Sequence, residues 1–244
     1  MKKYHLITRP EEDALKLQAI LKQKNKRSLL NPLLKIKFLL EDLKEFFKNN
    51  KHENICFIVT SVNSIRAIKK TLPQDLRFVT ILVSSTICFM EAQLLGFKSV
   101  IQCGKCAADL ESFFKINFDK NIRYIYISGD DVTIDISKIL EEQGLVCKKI
   151  VVYKAEIAFL QKDTIHSFQH YMVNSVSIFS YRTAQIFIKE IIKNNLEKVI
   201  ASVTVFTISK KIANLLSNRL TVNKVIVSEN YNSNEIANLI ANEE

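Results

Sequence analysis

The feature that most restricts how this chain can fold is that it is written twice. Phe57–Lys70, FIVTSVNSIRAIKK, is echoed by Ser177–Glu190, SIFSYRTAQIFIKE: an apolar run, a serine, a polar residue, then helical periodicity. Ser61 and Ser180 correspond, 119 positions apart. Ile81–Phe97 matches Phe206–Leu220, with Ser85 and Ser209 124 apart, and His5–Leu21 matches Tyr126–Leu140, with Arg9 and Gly129 120 apart. Three strand–turn–helix units that recur at about half of 244 residues predict an α/β protein of two similar flavodoxin-like lobes, each with a parallel sheet.

Apolar strands are expected to begin near 4, 55, 78, 99, 123, 145, 175, 203 and 223, most followed by a helix pattern. Caps are expected at Thr8 or Arg9 before Pro10, at Asp130 or Asp131 before a helix over 132–143, and at Asn232 or Ser233 before 235–241. Two extended stretches, 29–40 and 145–157, are too long for one ordinary strand. They read as antiparallel crossings that form a two-stranded linker. One lobe is then 36–152, inserted into a discontinuous lobe of 1–35 plus 153–244. On that division the inserted lobe is net +2 and the outer lobe +8.

With 48% hydrophobic and 25% charged residues the composition is that of a globular protein, and no run is long and apolar enough to span a membrane. Arg9, Glu11 and Glu12 interrupt the start, which excludes a signal-peptide core and points to the cytoplasm. The net charge of +10 would suit an anionic partner. Richness in Lys, Asn and Ile with only 4 Gly and 3 Pro assigns most of that charge to drift toward AT-rich codons. Basic residues interleaved with aromatics on one face are missing, so nucleic acid is not the expected partner.

In parallel sheets, ligands meet the carboxyl ends of the strands, where helix N-termini present free N–H groups. The residues there are Thr8-Arg9-Pro10, Thr60 to Asn63, Ser84-Ser85, Cys103-Gly104, Ser128-Gly129, Ser180-Tyr181-Arg182 and Ser209-Lys210-Lys211. Small hydroxylated or glycyl residues, several followed by Arg or Lys, suit carboxylates or phosphates. Serine and threonine are also ordinary helix caps, and each turn taken alone is explained that way. The sequence contains no P-loop, no G-x-G-x-x-G and no G-x-S-x-G.

Val100–Leu110, VIQCGKCAADL, holds a C-x-x-C at Cys103 and Cys106, at the fourth strand of a flavodoxin-like order. Zinc would need two further ligands at fixed spacing, and no second C-x-x-C exists. Gln102 stands where redox pairs usually carry an aromatic, so the loop is read as a ligand turn around Gly104 with incidental thiols. His166 and His170 have i, i+4 spacing but no acidic or cysteine companion, and no metal is expected.

In order along the chain, ITRP (Ile7–Pro10), NPLLKI (Asn31–Ile36), IVTSVNSIRA (Ile58–Ala67), GKCAADL (Gly104–Leu110), ISGDD (Ile127–Asp131), VVYKAE (Val151–Glu156) and IFSYRTAQIF (Ile178–Phe187) resemble the motifs of uroporphyrinogen-III synthases. The last has the form common among α-proteobacterial members. The departures are Ser85 then Cys88 where the family often has G-x-x-T, Ser209 to Ile212 for G-P-x-T, and Ser128-Gly129 for R-G.

The resemblance implies a cofactor-independent lyase of haem biosynthesis. Its substrate would be hydroxymethylbilane, a linear tetrapyrrole octacarboxylate, cyclised with inversion of ring D and loss of water. It also implies Tyr153 as the donor to the departing hydroxyl, equally readable as an anchor of the linker. Arg9, Ser61, Asn63, Ser85, Gly104, Gly129, Ser180, Arg182 and Ser209 are the expected substrate contacts, in a monomer acting without membrane or nucleic acid. The competing reading is a non-enzymatic two-lobed binding protein for an anionic small molecule.

Overall fold

The computed structural model describes residues 3–49, 54–71, 77–104, 107–114, 119–229 and 233–243. Cys106, His52 and Asn232 lie outside them. The chain opens with β1 (Tyr4–Ile7), α1 (Glu11–Gln23), β2 (Ser28–Leu30) and β3 (Leu34–Phe38). It continues through α2 (Glu41–Asn49), β4 (Ile55–Val59), α3 (Val62–Thr71), β5 (Thr80–Val83), α4 (Thr86–Leu95), β6 (Val100–Gln102) and α5 (Ala107–Phe114). Then come β7 (Arg123–Gly129), α6 (Ile136–Glu142) and β8 (Cys147–Ile157). The last stretch is α7 (Lys162–Gln169), β9 (Val173–Ile178), α8 (Tyr181–Lys193), α9 (Glu197–Ile200), β10 (Thr204–Thr207), α10 (Lys210–Ser217), β11 (Lys224–Val227) and α11 (Ser233–Asn242).

Two compact units result: Met1–Lys35 with Glu156–Glu244, and Ile36–Ala155. The return to the outer unit falls three residues after the boundary read from sequence, so Tyr153 belongs to the inserted unit. Five strands form one sheet, in the order β11-β10-β9-β1-β2, and six form the other, β3-β8-β7-β4-β5-β6. Every register recorded in them is parallel. Apart from the added edge strand β3, the second order is the first with its chain entry shifted: β7, β8, β4, β5 and β6 stand where β1, β2, β9, β10 and β11 do. The three sequence repeats map onto β1/β7, β4/β9 and β5/β10.

The period of two in each strand builds both faces of the inserted sheet. Ile55, Phe57 and Val59 of β4 join Ile81, Val83, Ile125 and Ile127 in a core closed by Leu43 and Phe46 of α2, Ile65 and Ile68 of α3, and Ala92 of α4. The alternate residues Cys56, Ile58, Leu82, Tyr124 and Tyr126 face Leu110 and Phe114 of α5 and Ile136 and Leu140 of α6. All five residues of β4 are buried, as expected of a strand covered on both sides. In the outer unit Ile7 and Phe206 pack with Ala14, Leu17 and Leu21 of α1 and Ile236, Ala237 and Ile240 of α11.

The stretch 29–40 is two strands because the chain changes sheet within it: β2 lies beside β1 and β3 beside β8, with Pro32 between them. Asn31 stays buried, its Nδ2 donating to Phe159 O (3.0 Å) and its Oδ1 accepting from Gln161 N (2.8 Å). The stretch 145–157 is the single long strand β8. β3 and β8 are neighbours. Leu39 N donates to Val152 O, and Ala158 N to Leu33 O, so as one number rises the other falls and the pair is antiparallel. β6 is the edge strand, the last of the six in the order, and Cys103 follows it. Among the described residues no helix is long and apolar enough to cross a membrane.

The cap of α6 is Asp135, not Asp130 or Asp131. Its carboxylate accepts from Ser137 N (3.2 Å) and Ser137 Oγ (2.6 Å), and pairs with Lys149 Nζ at 2.7 Å. Burial pushes its pKa up, but the Lys149 and Ser137 bonds outweigh that and hold it below the ordinary value. A depressed folded pKa stabilises above the unfolded value, near 3.8, and is lost as pH falls through the folded one. Asp135→Ala should therefore cost about 1 kcal/mol at neutral pH, and chemical denaturation should show the loss vanishing in strong acid.

Candidate active site

Tyr153, on β8, is the centre of a small polar cluster at the carboxyl ends of the inserted strands. Its phenol donates to Ser61 Oγ at 3.0 Å. Burial is the first reason its pKa lies above the usual tyrosine value; the Ser61 bond opposes the shift and the charges of Asp130 and Asp131 add to it. The group is therefore a neutral proton donor throughout the physiological range. Ser61 also accepts from Asn63 N (3.2 Å). With both lone pairs engaged, its own proton is free to be donated onward.

Gly129 is part of this cluster through what it lacks. A Cβ there would stand 2.7 Å from Tyr153 Cζ and 2.9 Å from its oxygen, so the phenol occupies the space a side chain would need. The register of β7 against β8 shifts between Ser128 and Gly129, bringing Gly129 opposite Tyr153, and Asp130 N donates to Tyr153 O (3.0 Å). Asn63 Oδ1 accepts from Arg66 Nη1 (2.9 Å). Arg66 is 8% exposed, and sequence reading missed it because its i+3 position from Asn63 looks like any lysine or arginine on a helix.

Three of the other serines are helix caps. Ser85 accepts from Cys88 N (3.3 Å), Ser180 from Thr183 N (3.0 Å) and Ser209 from Ile212 N (3.4 Å). Gly104 lies after β6, where a side chain would collide with Asp109. In the outer unit Arg9 lies 4.2 Å above the Phe179 ring, donates to Ser233 Oγ (2.7 Å) and pairs with Asp13 at 3.4 Å. That brings it to the turn holding Ser180 and Arg182. Lys211 Nζ stands 4.9 Å over the Tyr181 ring, which joins the Ser209 turn to the same group. Arg182 is half-buried in the first turn of α8.

The family model described as uroporphyrinogen-III synthase HemD matches residues 16–238. The chain belongs to the uroporphyrinogen-III synthase family. Solved uroporphyrinogen-III synthase structures share its fold. That from Helicobacter pylori has a TM-score of 0.59 at 13% identity over 98% of each chain. A mutant enzyme from the extremely thermophilic bacterium Thermus thermophilus has 0.57 at 12% over 97% of each. No curated protein sequence matches. Membership in this family favours the synthase over the binding-protein reading.

Thiol chemistry finds no support at the described cysteines. Burial is the main cause that pushes Cys103, Cys56 and Cys147 up to about 12, far from a reactive thiolate. The rings of His166 and His170 lie 4.0 Å apart, tilted by 38°, and no group of metal-holding side chains occurs among the described residues. Peptide-resolved alkylation by iodoacetamide at neutral pH should find Cys103 slower than a free peptide thiol. Gly129→Ala should cost about 1–3 kcal/mol by overpacking. Thermal unfolding should show part of that loss recovered when Tyr153→Leu is added, because the clash is with the phenol.

Proposed function

We propose that this chain is a cytoplasmic, monomeric lyase that converts hydroxymethylbilane to uroporphyrinogen III without a cofactor. The observation that carries the proposal is the family match over residues 16–238, in a chain whose Tyr153 is a neutral phenol already bonded to a second hydroxyl. The reaction is a redox-neutral dehydration, so proton transfer and positioning are its whole demand.

Tyr153 gives its proton to the departing hydroxyl, directly or through Ser61 Oγ, and the hydroxyl leaves as water. The remaining cationic azafulvene is attacked by the substituted α-carbon of the terminal pyrrole. The older bond from that carbon to the neighbouring methylene breaks, and the freed methylene, now the electrophile, bonds to the pyrrole's other α-carbon, which inverts the ring. The proton that pyrrole releases returns to the phenolate, so one water is lost and no proton is consumed. Arg9, Ser61, Asn63, Ser85, Gly104, Gly129, Ser180, Arg182 and Ser209 are the proposed carboxylate-binding set. Hydroxyl protons and backbone N–H groups at the first turns of α4, α8 and α10 add partial positive charge that favours carboxylates.

The test is a coupled assay in which porphobilinogen and an upstream deaminase are incubated with and without this chain. After oxidation, uroporphyrin isomers are separated by chromatography. Isomer III formed only with the chain is the expected result; isomer I in both, with folded protein, overturns the proposal. Tyr153→Phe should lower kcat by about 100-fold, and full turnover would remove the acid role. Because the active form is the protonated phenol and its pKa is raised, the alkaline fall in kcat should lie above the ordinary tyrosine value of 10. Arg182→Ala should raise KM more than it lowers kcat; the reverse would take it out of the binding set.

A further inference from the structure

A cavity of about 730 Å³ opens in the outer unit at the amino ends of its strands, the opposite end of that sheet from Arg9, Ser180 and Ser209. Its floor is a polar row. His5 aligns with Ser175 on β9, and Ser175 with Thr204 on β10. These residues share a face with Ile7 and Phe206, two positions further along, where α1 and α11 cover the sheet with apolar side chains. At the row itself only Ile240 of that apolar layer reaches the cavity.

His5, Ser175 and Thr204 are 2%, 6% and 5% exposed, so their polar atoms need partners. Thr204 Oγ1 accepts from Asn223 Nδ2 (3.3 Å), and His5 Nδ1 bonds Ser175 Oγ (2.9 Å). His5 Nε2 is buried with no partner among the described residues. Burial lowers the His5 pKa to about 3, so the ring is neutral and offers one hydrogen-bonding position, not a charge. A hydroxyl satisfies that position in either tautomer, since it both donates and accepts.

The rim differs from the floor. Lys3, Lys26 and Arg27 border the cavity, and Glu243 is the one carboxylate among its described lining residues. Lys3 and Lys26 bond backbone carbonyls, of Tyr171 (2.9 Å) and Glu243 (3.1 Å), while Glu243 also pairs with Lys224. Those two lysines are explained in part by the negative helix ends nearby. Arg27 is exposed and makes no side-chain hydrogen bond or ion pair with any described residue. Asn25, Asn174 and Ser202 add further hydrogen-bonding groups. The cavity is thus net +2 at its rim and neutral and polar at its floor, a charge that matches one phosphate dianion better than a carboxylate.

We propose that this cavity binds a small organic phosphate carrying hydroxyl groups, with the phosphate at Arg27, Lys26 and Lys3 and a hydroxyl on the floor of His5, Ser175 and Thr204, where a small shift of the His5 ring opens its unpartnered Nε2 to the ligand. The site is separate from the proposed substrate contacts and does not depend on the synthase reading.

The test titrates the full chain with ribose 5-phosphate, glycerol 3-phosphate and AMP by calorimetry, with gluconate as the carboxylate control. The His5 ring resonances, among only 4 histidines, are followed by NMR. At least one phosphate should bind saturably with Kd of about 1 mM or tighter and shift His5. Arg27→Glu, at an exposed position, should weaken it at least about tenfold, while Arg182→Ala leaves it unchanged. Absence of saturable binding by all three phosphates overturns the proposal. So does gluconate binding as tightly, binding lost with Arg182→Ala, or binding that leaves the His5 resonances unmoved.

Discussion

β8 is bonded along both edges, to β7 in parallel and to β3 in the opposite sense. That double pairing fixes Tyr153 more firmly than a loop would fix it. The strand is held in register from Cys147 onward, and the shift at Ser128/Gly129 then sets which residue of β7 the phenol meets. Glycine at 129 turns that meeting into contact, and the Ser61 bond sets the direction of the hydroxyl. A donor placed this way needs little reorganisation when charge develops beside it.

The two units hold charge differently. In the inserted unit the polar groups of Tyr153, Ser61 and Asn63 are short and mutually bonded. In the outer unit Arg9 and Lys211 lie over aromatic rings, which restrains long side chains while leaving them cationic. Ser85, Ser180 and Ser209 each use the hydroxyl oxygen to fill a helix N–H, and the Ser180 hydroxyl also bonds that of Thr183 at 2.7 Å. The cap role, which explained each of these serines taken alone in the sequence, is the one their oxygens fill.

Much of the fold was legible because buried parallel strands read as continuous apolar runs and because the repeat announced two copies of one plan. Ser61 was legible from the repeat and from its place at a strand end, Tyr153 only through motif resemblance. Their mutual bond was not, since nothing in the spacing of 61 and 153 shows that they meet across β7, the strand between β4 and β8. Asp135 was passed over for Asp130 and Asp131 because the deciding partner, Lys149, comes from the next strand. Gly129 looked like a ligand turn, and the structure shows its missing side chain filled by the phenol. The polar row of His5, Ser175 and Thr204 was invisible for the same reason: it runs across strands, not along them.

The antiparallel pairing of β3 and β8 has a consequence for descent as well as for shape. Residues 39 and 152 are joined by a backbone hydrogen bond of 2.8 Å, so the excursion between them starts and finishes at one place. To the host sheet, the whole inserted unit amounts to a clasp of two adjacent ends, and the entropy of closing such an excursion grows only slowly with its length. A gene could acquire, lose or transplant the insert as a cassette without rewriting the scaffold that receives it.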